Sequence, residues 1–141
     1  MPRIELWMTV FAGLAGGLAG VLWAGLVTPL VRGGTTANGA SHAETTLVLL
    51  AGAALRAAAG AALGFLFWLG WGLIAIVGQP WFVVGPLFGV LAWVAVAMPA
   101  LGTLLLQGYG SARAVAAHAL EWLFTCLGVG LLCALAWHRY A

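Results

Sequence analysis

Three ionisable side chains lie inside long apolar stretches of the sequence: Arg56, His118 and Glu121. A charged side chain at the centre of a bilayer costs about 2.5–3.5 kcal/mol on insertion scales, so such residues usually have a partner or a function. His118 and Glu121 are three residues apart, which places them on one face of a helix. Arg56 can pair with Glu121, with His118 beside the pair. The sequence therefore predicts a buried polar site formed by these three residues.

The role of such a site has three interpretations. The residues can neutralise one another and fix the register of packed helices. They can form a polar pocket for a proton, an ion, a lipid head group or a small ligand. They can also contact a partner subunit or the cofactor of that subunit. The sequence leaves all three interpretations open.

Cofactor and hydrolase chemistry have little support in the sequence. A bis-histidine haem needs two imidazoles at compatible depth, and His118 is the one histidine inside an apolar span, so this chain could supply one ligand of a haem shared with a partner. A single His-x-x-Glu pair is a weak metal signal, because di-iron bundles use two Glu-x-x-His motifs with further glutamates. No serine or cysteine stands in a hydrolase pattern. We predict no enzymatic activity, no metal site and no cofactor held by this chain alone.

The composition indicates an integral membrane protein. Of 141 residues, 65% are hydrophobic and 6% are charged, and the mean hydropathy is +1.12. Soluble domains carry about 25% charged residues, so this chain has too little polar surface to coat a water-soluble globule. The formal net charge of +2 is too small for the basic patch that nucleic-acid binding needs. The lipid bilayer is the expected surrounding, and nucleic acid is not an expected partner.

Four stretches are long enough to cross a bilayer, which takes about 20 apolar residues per helix. Most connections between them are short, so neighbouring helices should be antiparallel. The predicted fold is an all-α, up-down four-helix membrane bundle with both termini on the same side. It forms a single transmembrane domain, residues 1–141. The predicted spans are residues 6–31, 46–77, 81–106 and 112–137.

The first predicted span carries a dense face of small residues. Gly13 with Gly17, and Gly16 with Gly20, both have the Gly-x-x-x-Gly spacing. This spacing lets two helix backbones approach closely. We interpret the face as a site of packing within the chain, in preference to a dimer interface.

The second and third spans each have a feature that should tilt, bend or kink the helix. The second stretch opens with a capping-box pattern at residues 41–44 and is too long for one upright span, so we predict a tilted or bent helix. Pro99 lies deep in the third span, where the ring and the missing N–H should kink the helix.

The orientation in the membrane is weakly determined by charge. Arg3 and Arg139 lie on the side of the termini, and Arg32 and Arg113 lie on the opposite side. The terminal side has the tryptophan-rich short connection, which is the simplest part to leave untranslocated. We expect cytoplasmic termini.

Two regions resemble the YagU-type small bacterial inner-membrane proteins. Residues 98–102, Ser111 and residues 118–122 resemble the proline-containing segment of that group and the helix with histidine and tryptophan that follows. The Gly/Ala-rich first span and residues 23–32 are also similar. The resemblance implies a small polytopic protein of the bacterial inner membrane, of poorly defined function. The positions of this chain that match the motifs of that group are Pro99, His118 and Trp122.

These observations give one leading hypothesis and two alternatives. The leading hypothesis is a non-enzymatic inner-membrane protein that acts as an accessory or structural subunit of a larger membrane assembly, or packs against itself. The loops are too small to recognise a soluble partner, whereas the Gly/Ala-rich helices can pack closely. The first alternative is a small homo-oligomeric transporter or channel that uses the same polar residues. The second is a membrane anchor of a redox complex, with His118 near a shared haem or quinone.

Overall fold

A computed structural model describes the backbone of residues 6–32, 42–74, 79–108 and 110–140. Every regular element in these residues is a helix. A π-helical turn joins two α-helical segments into one continuous span, Trp81–Leu106. The elements are α1 (Leu6–Arg32), α2 (His42–Ile74), α3 (Trp81–Ala92), the π turn (Trp93–Ala97), α4 (Met98–Leu106) and α5 (Ala112–Tyr140).

Four helices in the described part of the chain are long and apolar enough to cross a membrane. Large apolar side chains such as Phe11, Leu22 and Val96 are exposed on their outer faces, which suits contact with lipid. The four apolar windows are Leu6–Trp23, Leu50–Gly70, Trp81–Leu106 and Ala112–Arg139. The predicted all-α class with four membrane-length helices is confirmed.

The second helix is continuous over all 33 of its residues, from His42 to Ile74. Its length is roughly 50 Å, against about 30 Å for the hydrocarbon core of a bilayer. A helix of this length must tilt or extend beyond the hydrocarbon. The capping residue Ser41, the side chain of Glu44, the rest of the first loop and Gly78 lie outside the described residues.

Glycines allow α1 and α2 to pack backbone against backbone. A Cβ atom added at Gly13 would overlap the carbonyl oxygen of Gly60, and one added at Gly17 would overlap the carbonyl oxygen of Arg56. A Cβ added at Gly60 would in turn lie 2.9 Å from the Cα of Gly17. Backbone atoms cannot move aside as a flexible side chain can, so this approach requires glycine on both helices.

The other two glycines of the α1 face pack against α5. A Cβ added at Gly16 would lie 2.6 Å from the Cα of Val129, and one added at Gly20 would overlap the hydroxyl of Thr125. The two Gly-x-x-x-Gly pairs therefore contact two different helices of the same chain.

Helix α5 also packs closely against α3. A Cβ added at Gly85 would lie 2.8 Å from the Cα of Leu131, and one added at Gly89 would lie 2.8 Å from the Cα of Leu127. Helix α5 therefore contacts α1 on one side and α3 on another, which makes it the central helix of the fold.

The buried core lies between α2, α3 and α5. The rings of Phe67 and Phe88 meet edge to face, with their centroids 5.0 Å apart. Cys126 and Cys133 are free and buried in the same cluster. The thiol of Cys133 donates to the carbonyl oxygen of Thr9 on α1 at 3.4 Å.

The third span departs from α-helical geometry just before Pro99. The backbone N–H of Met98 donates to the carbonyl oxygen of Trp93, five residues earlier. Pro99 follows immediately and has no N–H to offer to the preceding turn. A π turn at this point is a recognised cause of a local change in helix direction. The sequence predicted the kink at Pro99 and did not predict the π turn.

Candidate functional site

The predicted polar site is present. Nη2 of Arg56 donates to Oε2 of Glu121 at 2.9 Å, which joins α2 to α5 by an ion pair. The side chain of Glu121 is 4% exposed and that of Arg56 is 13% exposed. A charge-assisted hydrogen bond at this distance is among the stronger interactions in proteins, and here both charges are shielded from the surroundings.

The guanidinium of Arg56 also reaches α1. Its Nη1 lies 3.2 Å from the hydroxyl of Thr125 on α5 and 3.4 Å from the carbonyl oxygen of Gly20 on α1. The close approach of α1, which requires glycine at this position, brings the carbonyl of Gly20 within reach. The side chain of Arg56, on α2, therefore makes hydrogen bonds to both α1 and α5 and connects three helices.

Thr125 connects the ion pair to the backbone of α5. Its hydroxyl accepts from Arg56 and donates to the main-chain carbonyl oxygen of Glu121 at 2.9 Å. Every buried side-chain nitrogen or oxygen in the described residues has a hydrogen-bond partner. The buried atoms of the network are therefore all paired, which removes the large cost of leaving polar atoms without a partner in an apolar interior.

Trp122 lies against the same guanidinium. The Cζ atom of Arg56 lies 5.2 Å from the centre of the Trp122 ring, within the range of a cation–π contact. Two consecutive residues of α5 therefore contact the guanidinium of Arg56: Glu121 through its carboxylate and Trp122 through the face of its ring.

His118 stands at the open edge of the site. Its Nδ1 lies 3.4 Å from Oε2 of Glu121, and its side chain is 44% exposed. The structure thus brings together all three residues that the sequence singled out. His118 is the most accessible of the three.

Comparisons with protein-family models, with curated proteins and with solved structures give no match for this chain. The function is therefore argued from the site itself.

Metal and haem ligands are sparse around the site. In residues 6–32, 42–74, 79–108 and 110–140, no group of three or more His, Cys, Asp or Glu side chains could hold a metal ion. His138 lies 20 residues beyond His118 on α5, a distance of about 30 Å along the helix axis. His138 is therefore too far away to be the second axial ligand of a haem at His118.

A lateral apolar cleft borders the polar site. It has a volume of about 460 Å³ and lies between α2, α5 and the segment formed by the π turn and α4. Trp122 contributes to both features, because it lines the cleft and contacts the guanidinium of Arg56. Trp93, in the π turn, donates from Nε1 to the carbonyl oxygen of Ala119 at 2.8 Å, which fixes the cleft wall to α5.

The neutral members of the network were not predicted from the sequence. Thr125 stands four residues after Glu121 and so shares its helix face, a spacing that could have identified it. The carbonyl oxygen of Gly20 has no sequence signal, because every residue carries one. The bond from Trp93 to α5 likewise depends on tertiary packing.

Proposed function

We propose that this chain is a non-enzymatic multi-pass membrane protein that serves as an accessory, structural subunit of a larger membrane assembly. The observation that supports this function is the hydrogen-bond network of Arg56, which contacts α1 and α5 from its position on α2. A polar site whose buried atoms all have hydrogen-bond partners stabilises a rigid unit. The apolar outer faces of the helices are then available for contacts in the membrane.

The proposed location is the bacterial inner membrane, with an up-down helix order and cytoplasmic termini. The four membrane-length helices support a multi-pass protein. The resemblance to the YagU-type proteins supports the bacterial inner membrane.

Native mass spectrometry of the protein extracted from its own membrane in mild detergent tests the proposed role. We expect a heteromeric mass in which this chain is bound to at least one other membrane subunit. A homo-oligomer without another subunit would contradict the accessory role. Additional mass that matches haem or quinone would favour a redox anchor, and its loss in His118→Ala would assign the contact to that residue.

The half-exposed imidazole supports a second candidate, a small homo-oligomeric transporter or channel. His118 lies beside the buried carboxylate of Glu121 and is accessible from outside the bundle, an arrangement that suits a proton relay. In proteoliposomes, a transporter should show ion or proton flux that Glu121→Gln abolishes while the oligomer stays assembled. Absence of flux in the wild-type protein would remove this candidate.

A further inference from the structure

The apolar cleft lies along the second half of the third span. Its wall on that side runs from Ala92, near the middle of the Trp81–Leu106 span, to Leu104, near the end. The distance between these residues is about 18 Å along the helix axis. Half of a bilayer hydrocarbon core is about 15 Å thick. The cleft therefore extends over about the depth of one leaflet.

One end of the cleft lies next to an aromatic contact. The lining residues of α2 stop at Leu66, and those of the third span begin at Ala92. The next positions towards the core are Phe67 and, one turn before Ala92, Phe88, whose ring centroids are 5.0 Å apart. The lining therefore ends near the middle of the span, beside these rings, and extends from there towards the end of α4.

The size of the cleft suits a single hydrocarbon chain better than a whole helix. A helix segment about 18 Å long and about 10 Å in diameter fills roughly 1,400 Å³, which is about three times the cleft volume of about 460 Å³. A transmembrane helix of a second copy therefore does not fit inside the cleft, whereas a single acyl chain is much thinner.

The lining matches a hydrocarbon chain in chemistry. The cleft is lined by alanine, leucine and valine side chains together with Trp122 and Cys126. Five alanines leave room between the two walls because their side chains are short: Ala59 and Ala62 on α2, and Ala92, Ala97 and Ala100 on the opposite wall. An apolar cavity of this kind is filled by apolar groups in preference to water.

We propose that this cleft is a binding site for one acyl chain of a membrane phospholipid. The chain enters from the end of α4 and ends against the Phe67–Phe88 contact. Its packing against Trp122 places the bound lipid beside the Arg56–Glu121 pair. This inference depends on the cleft and on the membrane location, and it is independent of the accessory-subunit role.

Phospholipid retention tests the proposal on the intact protein. The wild-type chain is reconstituted into phosphatidylcholine–phosphatidylglycerol vesicles, re-extracted in mild detergent and analysed by native mass spectrometry. We expect one retained phospholipid per chain. Ala62→Phe should lower the retained lipid about tenfold, because the new ring occupies the space of the chain. Ala58→Phe is the matched control, since Ala58 is also an exposed alanine of α2 but does not line the cleft, and it should retain the lipid.

A second variant and a second measurement separate lipid binding from misfolding. Ala100→Phe fills the cleft from the opposite wall and should give the same loss, while circular dichroism checks that each variant keeps its helical content. Wild-type protein in vesicles that contain phosphatidylcholine spin-labelled near the end of one acyl chain should show a motionally restricted component, which both cleft variants reduce.

Equal retention in the wild-type protein and both cleft variants would overturn the proposal. So would a change from dimer to monomer in Ala62→Phe with no change in lipid, because that result would assign the cleft to a second copy. A missing partner subunit, which would contradict the accessory role, has no effect on this readout.

Discussion

The side chains of Arg56 and Glu121 illustrate how a membrane protein can retain two charges. Their direct contact at 2.9 Å reduces the cost that each would pay alone. Replacement of a buried ion pair by apolar residues is often tolerated, whereas removal of one partner costs about 3–5 kcal/mol. The pair is therefore expected to be strongly coupled.

We predict that Glu121→Ala lowers the free energy of unfolding by about 3–5 kcal/mol, because it leaves the guanidinium of Arg56 without its counter-charge. The double variant Arg56→Met/Glu121→Leu should be more stable than Glu121→Ala. Reversible unfolding in mixed micelles, followed by circular dichroism, measures both. The single variants Arg56→Met and Glu121→Leu complete the cycle, and if their costs simply add in the double variant, the coupling is absent.

The charged residues of the site could be predicted from the sequence because an isolated charge in an apolar stretch is conspicuous. Arg56, His118 and Glu121 are the ionisable residues deep within the predicted spans, and the structure brings them together. Thr125 is less conspicuous because a hydroxyl costs little in a membrane helix, where it can bond to its own backbone. Its four-residue spacing from Glu121 places it on the same helix face, but its bond to Arg56 depends on the packing of α2 against α5.

The helices pack at distances that leave no room for a methyl group at selected glycines. We predict that Gly60→Ala lowers the free energy of unfolding by about 1–3 kcal/mol, because the new Cβ would meet backbone atoms of Gly13 and Gly17 on α1. The control is Gly52→Ala on the same helix, where nothing lies within 4 Å of the added Cβ, and its effect should stay within about 0.5 kcal/mol. Thermal unfolding in detergent compares the two variants, and equal effects would contradict the close packing.

The first residue of the π turn, Trp93, makes a side-chain hydrogen bond to α5. Trp93→Phe removes the bond from Nε1 to the carbonyl oxygen of Ala119 while keeping an aromatic ring. We predict a loss of about 0.6 kcal/mol, the average measured for hydrogen bonds between membrane helices. Trp7→Phe serves as the control, because Trp7 is 65% exposed. A larger melting shift for Trp7→Phe than for Trp93→Phe would contradict the prediction.

The spans were more predictable than the details of their geometry. Apolar length identifies a membrane helix because lipid leaves the backbone no partner outside its own hydrogen bonds. The same property hides local changes, since an α turn and a π turn through residues 93–97 would be equally apolar. Pro99 marked the region of the departure, but the π turn itself lies before the proline, where the sequence contains only tryptophan, valine and alanine.

At the level of the whole molecule, the contacts support the proposed up-down order. Along α1 and α2, Gly13 lies against Gly64, whereas Gly17 lies against Arg56. Residue numbers therefore rise along one helix as they fall along the other. The contacts of Gly16 with Val129 and Gly20 with Thr125 follow the same rule for α1 and α5.

This order makes a prediction about the termini in the membrane. Reporter domains fused before residue 1 and after residue 141 should lie in the same compartment, and a reporter inserted at residue 37, in the first loop, should lie in the opposite one. We expect the termini to be cytoplasmic, so a phosphatase reporter should be active only at the loop position and a fluorescent reporter should fold at both termini. Termini in different compartments would require an odd number of crossings, which the four membrane-length helices could provide only if one of them lay along the membrane surface. Each of the four helices contributes to the Arg56 network or to the apolar cleft, so water could reach the site to which the surface helix belongs, and the assignment of that site would fail with the topology.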